Sequence, residues 1–238
     1  MCRLWRMQRA VRFPSFESSF EFYAYAMRLT KLEHAALIIE QSGKKLFVDP
    51  GSFTTPITEA SGAVAVVITH EHADHWTPEQ LGRILDKVPD IRIFAPQGVA
   101  DAAAAFDITV VKAGDEVTVG PFTLRFFGEK HAVIHESLPI VDNVGVLING
   151  VVYYGGDSYT IPEGVEVDVL AAPVGAPWLK IGDAMDYVLA VKPRRSFATH
   201  EMVLSKAGKT MTGERIKWAT EQGGGEYFAL EPGDSLDI

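Results

Sequence analysis

Cysteine is almost missing from this chain: Cys2 is the only one among 238 residues. That excludes an internal disulfide and a thiolate-built zinc finger, and it fits a reducing, cytoplasmic setting. Any metal is left to histidine and carboxylate. Long apolar runs are missing too, and without the eighteen or so consecutive apolar residues of a membrane span no embedded segment is predicted. Positive charge is scarce. With 22 Lys and Arg against 31 Asp and Glu, a net charge of −9, and no cationic stripe, the composition speaks against a nucleic-acid backbone as partner, because that affinity is built from many cationic contacts. Arg194-Arg195 is the nearest thing to a basic patch. A Gly-x-Ser-x-Gly nucleophile turn is absent, so serine-based acyl transfer has no signature. These absences leave a protein expected to act on a small molecule, without nucleic acid or membrane as partner and with homo-oligomerisation left open.

Apolar residues make up 47 % of the chain, enough at this length for a sizeable core. No repeat, low-complexity tract or shift of composition divides residues 27–238, which are expected to form one mixed α/β domain. Residues 1–26 read differently. Arg3, Arg6, Arg9 and Arg12 are interleaved with Leu4, Trp5, Val11 and Phe13, no apolar block follows that would make a signal peptide, and Glu17 and Glu21 do not suit an organelle presequence. This stretch is expected to be an arm outside the core, lying ahead of a true start at Met27 or docking as an amphipathic helix. Beyond it, strands are predicted near 28–33, 36–41, 44–49, 64–69, 91–95, 116–119, 122–127, 144–148, 151–155, 167–171 and 196–199, with helices near 78–88, 98–105, 183–191 and 213–222.

The chemistry is concentrated in His70-Glu71-His72-Ala73-Asp74-His75. Imidazole and carboxylate are the ligands that borderline divalent cations accept, and crowding them together is costly unless a cation offsets it. The apolar, β-branched run Val64-Ala65-Val66-Val67-Ile68 before the motif reads as a buried strand. Thr77-Pro78-Glu79 after it reads as a helix start, with Thr77 as N-cap. The motif therefore sits in a strand-to-helix loop. In extended backbone His70 and His72 project to one side and can share a cation, while the turn swings Asp74 and His75 toward a second.

Two metals still need more ligands, and three segments offer them. Gly128 to His135 follows a strand and holds His131 and His135, either of which suits the first metal. Tyr154-Gly155-Gly156-Asp157 ends a strand in two glycines and an acid; the glycines permit close backbone approach, and a carboxylate can bridge two cations. Phe197-Ala198-Thr199-His200 ends another strand in histidine. All four groups fall at strand carboxyl ends, where open α/β sheets collect their sites. Asp49, closing the strand before Pro50, can orient a ligand imidazole through its second nitrogen, or form a turn.

The order His-x-His-x-Asp-His, then His, Gly-Asp and a late His, each after a strand, resembles the metallo-β-lactamase superfamily, and within it the small cytoplasmic hydrolases similar to L-ascorbate-6-phosphate lactonases. The resemblance implies an α/β (α+β), four-layer αβ/βα sandwich with two mixed sheets flanked by helices. It implies one metal on His70, His72 and His131, another on Asp74, His75 and His200, and Asp157 bridging them. Leu32-Glu33-His34-Ala35-Ala36 with Asp49-Pro50 resembles the family's opening, and His34 either lines the pocket or packs in the strand. With His131 as ligand, His135 becomes a candidate to contact substrate or protonate a leaving group. Two cations sharing a water yield hydroxide near neutrality, which Asp74 and Asp157 would position against an ester, lactone or phosphodiester of a small metabolite. Zinc is the first expectation for both metals, with manganese or iron next. The alternative is a non-catalytic metal or ligand sensor on the same fold.

Overall fold

The hairpin around Ser42-Gly43 sets the first sheet. Leu37–Gln41 (β2) and Lys44–Val48 (β3) are joined by these two residues, both at positive φ, 50° and 71°, the paired left-handed turn whose twist matches the flanking strands. The register that results pairs Gln41 with Lys44 and Leu37 with Val48. The structure is a computed structural model that describes residues 27–238, and the expected arm of residues 1–26 lies outside the described residues.

Met27–Lys31 (β1) lies antiparallel to β2, and Ser235–Asp237 (β14) antiparallel to β1. On the other side Ala63–Val67 (β4), Arg92–Ala95 (β5) and Ile108–Val110 (β6) continue from β3 in parallel. The second sheet repeats the plan. Its order is Glu226–Tyr227 (β13), Arg195–Thr199 (β12), Val169–Pro173 (β11), Val152–Tyr154 (β10), Gly145–Ile148 (β9), Phe122–Phe127 (β8) and Glu116–Val119 (β7). It is parallel from β13 to β10 and antiparallel from β10 to β7.

Three apolar layers hold four structural layers together. Leu29, Leu37 and Leu46 from one sheet meet Phe122, Phe126 and Phe197 from the other. Pro78–Leu85 (α1) and Gln97–Ala102 (α2) cover the outer face of the first sheet with Leu81, Ile84 and Val99. Ile181–Val191 (α3) and Lys206–Gln222 (α4) cover the second with Ala184, Val188, Ile216 and Ala219. β4 shows how sequence meets this plan: Ala65 and Val67 point between the sheets and Val66 toward the helices, so a strand buried on both faces is apolar throughout. The two mixed sheets and outer helices match the expected αβ/βα sandwich.

Three strands and one helix start differ from the sequence reading. β6, β13 and β14 are only three, two and three residues long, too short for a period to register. α4 begins at Lys206 rather than near 213, because Ser205 caps it by accepting from Gly208 N, while its first turns carry no apolar stripe. Among the described residues no helix is long and apolar enough to cross a membrane.

Candidate metal centre

Past β4 the chain turns at once, with His75 N donating to His72 O at 3.0 Å and Ser52 N to Ala73 O at 2.8 Å. The turn after β3 packs directly under the motif. A Cβ on Gly51 would lie 1.8 Å from Asp74 O, so only glycine allows that approach. The Thr77 hydroxyl accepts from Gln80 N at 3.1 Å and closes the loop into α1. His131 follows β8, Asp157 follows β10 and His200 follows β12, which brings ligands from both sheets to one edge.

Hydrogen bonds behind the histidines decide which nitrogen faces inward. His75 Nδ1 donates to Asp49 Oδ2 at 2.6 Å, His200 Nδ1 to Gly175 O at 2.6 Å, and His131 Nδ1 to Ala132 O. Thr69 Oγ1 donates to Asp49 Oδ2 at 2.6 Å and lies 3.0 Å from His70 Nδ1, whose proton it accepts. With Nδ1–H fixed outward in all four rings, each turns its Nε2 to the centre. His34 is fixed the other way. Met202 N donates to its Nδ1 at 3.4 Å, so Nε2 carries the proton toward Asp74 Oδ2, 3.1 Å away.

The inward atoms form two groups, His70, His72, His131 and Asp157, and His34, Asp74, His75 and His200, in each of which the candidate donor atoms lie within 4.8 Å of one another. Asp157 touches both. Its oxygens lie 3.3 Å from His131 Nε2 and 3.9 Å from His70 Nε2 on one side, and 3.2 Å from His75 Nε2 and 3.1 Å from His200 Nε2 on the other.

Two observations test whether cations fit here. His131 Nε2 and Asp157 Oδ1 are buried without a hydrogen-bond partner, a state few buried polar atoms tolerate. His75 Nε2 and His200 Nε2 face each other at 3.2 Å; two lone pairs or two N–H groups at that distance repel, and cations between such atoms remove the conflict. The donor set of imidazoles and carboxylates suits divalent ions.

The electrostatics point the same way. Burial opposes charge on Asp74, yet hydrogen bonds from His200 and His34 and the charge of His75 hold it far below the ordinary carboxylate value. Asp157 is likewise depressed: burial is overcome by His75 and His200. His75 is raised against its own burial by Asp157 and Asp49, and His200, by Asp157, is pushed up to about 9. His70 and His72 go down, first through burial and then through neighbouring imidazoles. His34 also goes down through burial. Backbone strain gathers at the same place. His34, Asp49 and His200 are among the six described non-glycine residues at positive φ, a conformation that persists only where surroundings over-determine it.

Of the residues the sequence singles out, His70, His72, Asp74, His75, His131, Asp157 and His200 fall in the two groups, joined by His34, with Asp49 buried behind His75. His135 is not brought in. It is exposed, with Nδ1 2.8 Å from Ser137 Oγ. The sequence carries no direct signal for the roles of Thr69 and Asn143, nor for the partner of Trp178, whose nearness to the ligands along the chain fits pocket lining or packing alike. Asn143 accepts from Asp157 N at 3.0 Å and donates to Gly155 O at 2.9 Å; a Cβ on Gly156 would lie 2.4 Å from its Oδ1, so the double glycine is the trace it leaves in the sequence. Trp178 Nε1 donates to Asp157 Oδ2 at 2.8 Å, and no local pattern announces that contact.

Comparison with known proteins adds an independent line. The model of the β-lactamase superfamily domain matches residues 28–200. Protein Rv0786c of Mycobacterium tuberculosis is 35 % identical over 185 residues, covering 75 % of this chain and 86 % of its own. A UPF0173 metal-dependent hydrolase of Aeropyrum pernix is 33 % identical over 150 residues, 55 % of this chain and 61 % of its own. Among solved structures, Igni18, a metallo hydrolase of Ignicoccus hospitalis, superposes with a TM-score of 0.68 at 19 % identity over 90 % of this chain and 98 % of its own, a likeness of fold.

Proposed function

From the premise that the chain belongs to the metallo-β-lactamase superfamily and is a metal-dependent hydrolase of that fold, we propose that it cleaves an ester, lactone or phosphodiester bond of a small metabolite at two divalent cations. His70, His72 and His131 would hold one, Asp74, His75 and His200 the other, and Asp157 both. The observation that carries this reading is that the one carboxylate of Asp157 reaches imidazole nitrogens of both groups.

When bound, the cations supply acidity to a water and stabilise negative charge at the reacting centre. The protein supplies the rest. Asp74, held ionised by His200 and His34, acts as a proton acceptor and orients the attacking water rather than donating. Asp157, kept ionised and tied to the Trp178 indole N–H, keeps one orientation toward both groups. Asp49 and Thr69 hold His75 and His70 in the tautomers that offer Nε2 inward. His135, on the exposed segment after His131, is the residue we assign to substrate contact or proton delivery to the leaving group. Zinc is the metal favoured by the many imidazoles, with manganese or iron as substitutes.

The test is elemental analysis of protein purified without added metal, joined to a panel of ester, lactone and phosphodiester substrates. Near two metals per chain and turnover of one class is the expected result. A single metal, or two metals with no turnover in any class, would refute the proposal.

A further inference from the structure

Large apolar side chains on the surface are not scattered evenly over this protein. Most of the exposed ones among the described residues fall, along the chain, in the stretches that follow His131, Asp157 and His200, while Phe53, Val110, Met211 and Trp218 lie elsewhere. Val133, Ile134, Leu138 and Ile140 are between 37 % and 57 % exposed and all belong to one excursion of chain. That excursion is anchored at its base by His131 N donating to Val141 O at 3.1 Å, Ala132 N to Asp157 O at 2.8 Å, and the Lys130–Asp142 ion pair at 2.7 Å. It is thus hung on two ligands. Phe53 packs edge-on to His34 at 4.8 Å, and Met202 N bonds the same ring. Four exposed apolar side chains on one short segment next to a site offer a surface for an apolar ligand.

Beside His131, whose ring centroid lies 5.7 Å from that of Trp178, Trp178 and Tyr159, with ring centroids 5.3 Å apart, and Val133 line a cleft of about 460 Å³, with Ser158 and Thr160 as its neutral polar lining. Its charged lining residues are occupied elsewhere, Lys130 by Asp142 and Asp183 by Lys180. Resting on the hydrolase reading above, we propose that the substrate carries an aliphatic chain, seated against the 132–141 segment and the Trp178 wall while its ester bond lies at the metals. Water adds across the C–O bond, giving a fatty acid and an alcohol.

The experiment is a series of p-nitrophenyl esters from acetate to decanoate with the zinc- or manganese-loaded full chain. kcat/KM should climb about two- to fourfold per methylene, as expected for partial to full burial of each group. The double substitution Leu138→Asn with Ile140→Asn should flatten the climb and leave acetate cleavage unchanged; Val133→Ser is the independent variant should that pair disturb folding. Acetate cleavage with no chain-length dependence in the wild type overturns the proposal and leaves the hydrolase reading intact. If no ester is cleaved, titration of the loaded protein with alkanoates from butyrate to decanoate decides alone: affinity rising per methylene and lost in the variants supports the chain site, and a flat series overturns it. The proposal also falls if the chain-length dependence emerges only after removal of residues 1–26, or if the patch proves to hold a second copy of the chain by sedimentation or phosphatidylcholine vesicles.

Discussion

Metal uptake should be unequal between the two ligand groups, and the inequality should depend on pH. Consider protein stripped by a chelator and titrated with zinc. His200 is pushed up to about 9 by Asp157, and His75 is raised as well, so at pH 7 an ion entering beside Asp74 must first displace protons. For His200 alone that is a gap of about two pH units, or about 2.7 kcal/mol and a hundredfold in affinity. His70 and His72 are lowered instead and have no such proton to surrender. The group of His70, His72, His131 and Asp157 should therefore fill first. Apparent affinity of the second event should rise about tenfold per pH unit for each displaced proton between pH 7 and 9. Isothermal titration in two buffers of different ionisation enthalpy measures this directly. Two binding events with the same proton release, or affinities that do not move with pH, would refute the reasoning.

Stability of the stripped protein should follow the same charges. His200, raised from an ordinary value of 6.5 to about 9, contributes fully below pH 6.5 and loses its contribution as pH rises through 9. Asp74 and Asp157, depressed from 3.8, contribute above that value and lose it as pH falls; His70, His72 and His34, lowered from 6.5 by burial, likewise contribute above 6.5 and lose it as pH falls, so thermal melting should peak near pH 6.5 and decline on both sides. Asp157→Ala should reduce metal content to at most one ion per chain by elemental analysis, with turnover at background. His131→Ala should lose metal, whereas His135→Ala should keep both ions and lower turnover by up to about a hundredfold; the reverse pattern in metal analysis would exchange their roles. Lys31, paired with Glu201 at 2.6 Å in the interior, is the place where one truncation should hurt most: Lys31→Ala strands a buried carboxylate at about 3–5 kcal/mol, a fall in Tm of roughly 6–20 °C.

Much of the site could be read from the sequence because its ligands stand where strands end. An apolar strand followed by His-x-His-x-Asp-His, or by Gly-Gly-Asp, is a local pattern, and local patterns survive without coordinates. Asp49 was legible as a strand-end acid, though not its bonds to both Thr69 and His75. What stayed hidden is non-local. Trp178 lies 21 residues from Asp157, and His34 meets Asp74 across 40, distances at which no period or spacing carries information. The fold shows the same limit: the hairpin turn Ser42-Gly43 and the cap Thr77-Pro78 are written in their own residues, while β6, β13 and β14 exist only because an already formed neighbour offers each an edge.

The pairing of β14 with β1 has a mechanical meaning. Met27 N donates to Ile238 O at 3.1 Å and Ile238 N to Met27 O at 2.7 Å, so residues 27 and 238 are neighbours at one end of an antiparallel ladder. A load applied between them runs along the hydrogen bonds, which stand perpendicular to such strands, and breaks them one after another instead of all at once. Pulled from these two points, the domain should unzip at low force from the edge of its first sheet, losing β14 before the layers that carry the histidines bear any tension.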